Sequence, residues 1–545
     1  MRSTAGDDSA RRPPVVVWGA SQLFPENFFP IIGPGNSVST ANIGIQVFPA
    51  PFRVRPDLTV VYDPELLTSE PASVVAGGRQ IVTYRLNPRA KWSDGPPIGA
   101  SDFEFSWRIQ RSSDPARGGC PALLSTSGYD QIESVTGTDA GRTVVVTLTR
   151  PYADWKTLFR QQLFPAHLMD SGDAATNCAT VKRGWPAAEG IPVSGGPWKV
   201  DKADVDPDNK TVILTPNPAY WGAKPKLERL IWQSFPTDPD AVLGALEAGE
   251  VHVADPPAQL DLLEPLRALE PTVVTEIKPG LSFEHLDFNV RNPHLAQKAV
   301  REAIATGLDR AQLVRATVGQ IDSAAEVLNN RMYLTSQPEY EATNNHRYER
   351  ADVAAARRLL EGAGYRVGAD GVYVKDGARL SLELMTTPAN RMRASAVEVI
   401  AAQLRRVGFA IRTFVNRDIF GDKDSATSLE SGRFDMALYS WLGAPFVMGN
   451  ESIYASVRGE SIGQNYTRGG DRRVDRLFEQ LAVATTAATI AEIANRIDTL
   501  LWENLFTIPL FQRPIIAAHH RAVANVVINA SSDGLAWNAD DWTVD

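Results

Sequence analysis

The chain has no stretch that would cross a bilayer. Its richest apolar run, LFTIPLFQRPIIAA (residues 505–518), holds two prolines and an arginine, whereas a membrane span needs roughly 18 to 20 uncharged residues. It lacks an excess of positive charge. The formal net charge is -9, which excludes a basic face for nucleic acid or anionic lipid. It has little cysteine, only Cys120 and Cys178, so no paired C-x-x-C zinc set exists. It has no G-x-S-x-G elbow, no H-E-x-x-H and no phosphate-binding G-x-x-x-x-G-K. The seven histidines are scattered. His519 and His520 are adjacent, and on a strand they face opposite ways and cannot chelate together. Glu284 and Asp287 fail as an acid pair for the same reason, because strand residues three apart point to opposite faces. No catalytic residue, metal or cofactor is expected, and the absences favour a binding protein over an enzyme.

What is present fits a soluble globular chain. Hydrophobic residues make up 43% and charged residues 22%, both ordinary values. At 545 residues one core is too small, and several lobes are expected. Residues 1–14 read as a disordered N-terminal segment with no apolar signal core. Either the protein is cytoplasmic or an export signal has been removed. Cys120 and Cys178 sit in loop-like, Gly/Ala-rich surroundings, as two separate buried thiols or as one disulfide.

Strands are predicted at PVVVWGAS, IVTYRL, TVVVTLTR, TVILTPN and SFEHLDFNV. A helix begins at GASDFEFSWRIQR with Ser101 or Asp102 as its N-cap. LAQKAVREAIATGLDRAQLVRATVG reads as one helix. LSLELMTT, RMRASAVEVIAAQLRRVGF and AIRTFVN form a strand–helix–strand unit. ATIAEIANRIDTLLWENLF is the last helix, and a strand-rich tail then returns toward the first lobe. The stretch YSWLGAPFVMGN (residues 439–450) is odd. It closes a strand and then stays uncharged and apolar where a loop should be polar. It suits the wall of a cleft, or a plug of core packing.

Several segments together carry a family signal. VTYRLNPRAKWSDGPPIGASDFEFSW, PVSGGPWKV with LTPNPAYWG, LDFNVRNPHLAQKAVREAIATGLDR, ARRLLEGAGY and LLWENLFTIPLF occur in order. Together they resemble the family 5 extracytoplasmic solute-binding proteins, the oligopeptide, dipeptide and nickel receptors of ABC importers. The resemblance implies an α/β, two-lobed periplasmic-binding-protein type II fold. Lobe I would span residues 15–285, with an extra subdomain at about 48–190. Lobe II would span 286–505, and residues 506–545 would return to lobe I. The hinge would lie near residues 286–290. An exported lipoprotein with its signal removed is implied, and with export a disulfide between Cys120 and Cys178. Arg-over-Lys and Ala-rich usage fits an actinobacterial source.

In peptide-binding members a strand ends in tryptophan, and an aspartate a few residues on pairs with the peptide ammonium. Here Trp441 keeps the aromatic, but the acid position falls on Ala444. A buried ammonium without a partner costs several kcal/mol, so a peptide-like, largely uncharged, apolar or glycosidic ligand is expected. Its contacts would be Trp441, Leu442, Gly443, Ala444, Pro445, Phe446 and Tyr466. Gln22, Phe24 and Phe48 would oppose them, and His285 and Asn289 would lie at the cleft floor. The implied partners are that ligand and the membrane permease of an importer, with no nucleic acid, and the protein is expected to be a monomer. A non-transport cell-envelope lipoprotein on the same scaffold is the second reading, because residues 62–107 also resemble mycobacterial lipoproteins of mannolipid synthesis. An enzyme recruited from the scaffold is the third.

Overall fold

The structure, a computed structural model, describes residues 14–544 apart from 161–162, 236–238, 389, 422, 444 and 458–461. The N-terminal segment to Pro13, expected to be disordered, and Ala444 lie outside the described residues. The fold is mixed α/β and is organised by one large sheet that runs through both lobes.

In the first lobe Val15–Ala20 pairs in parallel with Arg229–Ser234 and with Val253–Ala254. Its core is unusually rich in tryptophan: Trp18, Trp198, Trp232 and Trp542 are all essentially unexposed. Each such ring removes roughly 150–250 Å2 from water, so these four anchor the lobe. Trp542 and Val523 pack in the same cluster as Val16, which places the tail of the chain in the core that its first strand starts. A separate antiparallel sheet of Ala72–Ala76, Arg79–Arg85, Thr143–Leu148 and Ile132–Thr138 has its own core around Trp92, Phe103 and Phe159.

In the second lobe Ser381–Thr386 and Ala410–Val415 lie parallel, joined by the helix Arg391–Val407. The helix stops at Gly408, whose φ of 119° is costly for any side chain. The two lobes share two long antiparallel strands, Val273–Phe288 and Thr507–His520. Besides pairing with each other, Thr507–His520 pairs with Val253–Ala254 in the first lobe and Val273–Phe288 pairs with Met436–Leu442 in the second. Their ladder breaks between Pro279 and Phe283, where residues 280–282 have no partner on the second strand. Residues 286–288 are instead paired on both sides, to Met436–Leu442 and to Thr507–His520. The crossing ladder is thus interrupted at 280–282, where Ser282 still pairs with Leu442, and is continuous on both sides at 286–288.

Two helix details differ from the expectation. The helix Ala100–Gln110 is capped by Gly99, and Asp102 sits in the first turn, where its carboxylate accepts the Gly99 N–H at 2.8 Å. The acid thus supplies one half of a capping box from inside the helix, the half in which the N3 side chain reaches back to the cap N–H. The stretch expected as one helix is two, Lys298–Gly307 and Arg310–Ala316. Asp309 caps the second by accepting the Gln312 N–H at 2.6 Å. Aspartate competes for backbone donors and favours a cap over a helix interior.

Candidate functional site

The strand Met436–Leu442 carries the apolar loop to the interface between the lobes, and there the loop separates into wall and core. Leu442 is 71% exposed, while Val447 is 2% exposed and packs among Met332, Tyr454 and Phe478. Gly443 donates its N–H to Leu281 O at 2.9 Å. A Cβ there would stand 2.7 Å from a Leu334 methyl, so glycine permits this close approach.

The loop rims two cavities, each walled by both lobes. The first, about 650 Å3, has Phe446, Met448 and Glu451 from the second lobe facing Ile31, Tyr152 and Asp154. The second, about 370 Å3, has Leu442 and Arg513 facing Ser21, Gln22 and Asn42. Of the residues expected to touch ligand, Gln22, Leu442 and Phe446 line these cavities.

The others are placed differently. Phe48 is 2% exposed and stacks on Trp185 at 5.3 Å inside the first lobe. Phe24 packs on Trp232, with Lys210 over its ring. Asn289 donates through Nδ2 to Gly432 O and Phe434 O at 2.8 and 2.7 Å, and its Oδ1 accepts the Arg291 N–H. All three are held by packing or hydrogen bonds within one lobe.

Trp441 lies parallel to His285, with centroids 5.6 Å apart and 4° between planes, and parallel to Tyr466 at 5.8 Å and 8°. Its ring is flanked by rings of the protein, and it backs the cleft instead of lining either cavity. His285 bonds through Nδ1 to Asp287 Oδ1 at 2.9 Å, and Tyr439 donates its hydroxyl to Asp287 Oδ2 at 2.7 Å. This buried chain fixes the stack on the strand. On the opposite face Glu284 accepts from Arg393 Nε at 3.0 Å. Tyr466 lines a much smaller cavity beside Asp287, and Pro445 stands between Leu442 and Phe446 without lining either of the larger two. Cys120 and Cys178 are bonded, with Cα atoms 5.2 Å apart. They tie the loop before Leu124, another wall residue of the larger cavity, to the helix Ala174–Arg183.

Sequence reasoning missed Asp154. It is 6% exposed, and its Oδ2 accepts the Met448 N–H at 3.0 Å, a contact from one lobe to the other. Burial pushes its carboxyl up to about 7. Tyr152 and Tyr333 near it are also pushed up and stay neutral, and Glu451 shares the cavity wall. A carboxyl freed to water titrates near 3.9. Between about pH 4 and 7 it therefore loses its proton when the lobes part and keeps it when they meet. Closure should be most favourable at the acid end of that window and weaken as pH rises through it. Ligand affinity measured from pH 4.5 to 8 should fall accordingly, and Asp154→Asn should flatten the slope. An unchanged slope in that variant would remove Asp154 from closure.

A two-lobed α/β fold with a cleft crossed by paired strands defines a type II solute-binding protein. The model of the bacterial extracellular solute-binding proteins, family 5, matches residues 62–460, and the chain belongs to that family. The oligopeptide-binding protein OppA of Mycobacterium tuberculosis is 29% identical over 507 residues, covering 92% of this chain and 80% of that protein. The probable monoacyl phosphatidylinositol tetramannoside-binding protein LpqW of the same organism is 28% identical over 436 residues, 73% of this chain and 64% of that one. Among solved structures, the periplasmic EDTA-binding protein EppA superposes with a TM-score of 0.85 at 25% identity, covering 98% of this chain and 97% of its own. AppA of Bacillus subtilis, solved with a nonapeptide, gives 0.69 at 18% identity, covering 98% of this chain and all of that one, and speaks for the fold alone.

Proposed function

We propose that the protein is the extracytoplasmic receptor of an ABC importer. It captures a peptide-like, glycosidic or otherwise largely uncharged ligand by closing its lobes. The reading is carried by the loop at residues 442–451, which supplies a wall of both cavities while the first lobe supplies the other. The larger cavity is lined by apolar and aromatic side chains, Ile31, Tyr152, Phe446 and Met448, and by hydrogen-bonding groups such as Gln110 and Gln131, with Arg150, Asp154 and Glu451 also on its wall. Such a mixture suits amides or sugar hydroxyls. The likeness to a peptide-binding relative supports the peptide-like form. The likeness to LpqW, named for binding a phosphatidylinositol tetramannoside, supports the glycosidic form, and a non-transport envelope lipoprotein on the same scaffold is the second reading.

Small-angle scattering of the purified protein tests lobe closure. A mixture of short peptides should reduce the radius of gyration. Native mass spectrometry should show a co-purified ligand in the same preparation. An unchanged scattering profile with a mass-confirmed ligand bound would favour the rigid, non-transport reading.

A further inference from the structure

One edge of the antiparallel sheet in the first lobe is bare. Ala72–Ala76, the sequence ASVVA, is an outer strand of that sheet. Every residue in it is exposed, Val74 at 58% and Val75 at 45%. Its hairpin to Arg79–Arg85 turns at Gly77 and Gly78, both with positive φ. A two-residue turn of that kind makes the residues flanking it, Ala76 and Arg79, a hydrogen-bonded pair. Bonding then alternates along the strand. Ala72, Val74 and Ala76 direct their backbone groups into the sheet, and Ser73 and Val75 point theirs at the open side. Among the described residues no turn or loop hydrogen bond reaches the backbone of Ser73 or Val75.

Folded chains keep such edges apart with charge, proline or a bulge. Two other edges here do so. The opposite edge of the same sheet, Ile132–Thr138, carries Glu133 and a register break after Ile132. The outer strand of the large sheet, Ala410–Val415, carries Arg412. Ala72–Ala76 carries no charge. Pro71 precedes it, where a missing N–H ends a ladder and does not interrupt one.

The strand is also nearly symmetrical about Val74. Laid antiparallel on a second copy, with Val74 opposite Val74, it sets Ala72 opposite Ala76 and Ser73 opposite Val75. Ser73 and Val75 are the residues with open backbone groups, so each of these pairs exchanges both N–H···O bonds. Val74 falls in the closer, non-hydrogen-bonded position, where two β-branched side chains meet with Cα atoms about 4.5 Å apart. The same register brings Glu70, opposite Gly78, next to Arg79 of the second copy, so the flanking charges are complementary. A slip by one residue would set open backbone groups against groups already bonded.

We infer that Ala72–Ala76 is a self-association edge, at which two copies of this chain join antiparallel about Val74 and continue one sheet through both. The expected monomer thus gives way to a pair at high concentration, because so short a strand buries less than the roughly 1,000 Å2 of a lasting interface. The strand lines neither of the two large cavities, so the inference stands apart from the receptor reading.

Sedimentation equilibrium from about 1 to 500 μM, a range that covers weak association, is the first test. The mass of the natural protein should climb from one chain toward two. Val74→Lys sets like charges face to face and should stay at one chain, with an unchanged melting temperature because the site is exposed. Cysteine cross-linking tests the register. Val74→Cys should oxidise to a symmetrical linked pair, since Cα atoms about 4.5 Å apart suit a disulfide. Ala72→Cys and Ala76→Cys should link when mixed, and neither alone. Val415→Cys, also 58% exposed, reports random collision. A single-chain mass at the highest concentration would leave the edge to a strand of some other protein and overturn the inference. A pair that survives Val74→Lys, self-linkage of Ala72→Cys, or linkage of Val415→Cys as fast as Val74→Cys would overturn it equally.

Discussion

Asp498→Ala is expected to destabilise the second lobe by roughly 3–5 kcal/mol, the usual cost of stranding one member of a buried ion pair. Asp498 and Arg331 are both 0% exposed, with Arg331 Nη1 2.9 Å from Asp498 Oδ1. The same oxygen accepts the Arg331 N–H at 2.9 Å, and Thr343 donates its hydroxyl to the other oxygen. Arg331 also donates to Thr507 O at 2.7 Å and lies over the Trp502 ring at 4.1 Å. Without the carboxylate, the guanidinium remains sealed among carbonyls and a ring with no counter-charge. Urea unfolding monitored by circular dichroism should show the loss. Arg331→Met with Asp498→Leu should recover most of it, because two apolar groups of similar volume need no desolvation. A loss below about 1 kcal/mol, the range of an exposed pair, would mean that water reaches this site.

The second large effect is expected from the disulfide. Cys120 and Cys178 are 58 residues apart, and the chain-entropy model credits such a cross-link with roughly 4 kcal/mol. Protein made in an oxidising compartment should yield a linked peptide pair two hydrogens light. Cys120→Ala with Cys178→Ala should lower the first-lobe melting transition by several degrees. Ligand affinity should also fall, because the loop that leads to Leu124 in the cavity wall loses its tether. Two alkylatable thiols in oxidised natural protein would overturn the pairing.

The sequence was most legible where a local pattern decides the outcome. The run VVVWGA needs both faces covered, so it reads as a buried strand and is one. The helix Arg391–Val407 ends where glycine permits φ of 119°. The family's ordered segments implied the two lobes and the position of the apolar loop between them. The site was less legible because a lone aromatic or amide reads alike in a cleft and in a core. Phe48 and Asn289 are cases of this, each sealed within one lobe. Trp441, expected to touch ligand, lines neither cavity, because strand register and a distant loop bring His285 and Tyr466 against its ring. Gln22 and Leu442 line one cavity from far apart in the chain, which no local period encodes.

Trp542 completes a core that begins at Val16, and this sets an order of events during synthesis. Everything needed for the second lobe's sheet leaves the ribosome before the last core residues of the first. The earlier-made half must therefore wait, with Trp18 and Trp232 incompletely covered, until Trp542 arrives. A nascent chain in that state exposes a large apolar surface, the condition in which holding chaperones bind. The position of one late tryptophan thus delays completion of the first lobe until the segment around residue 542 has been made.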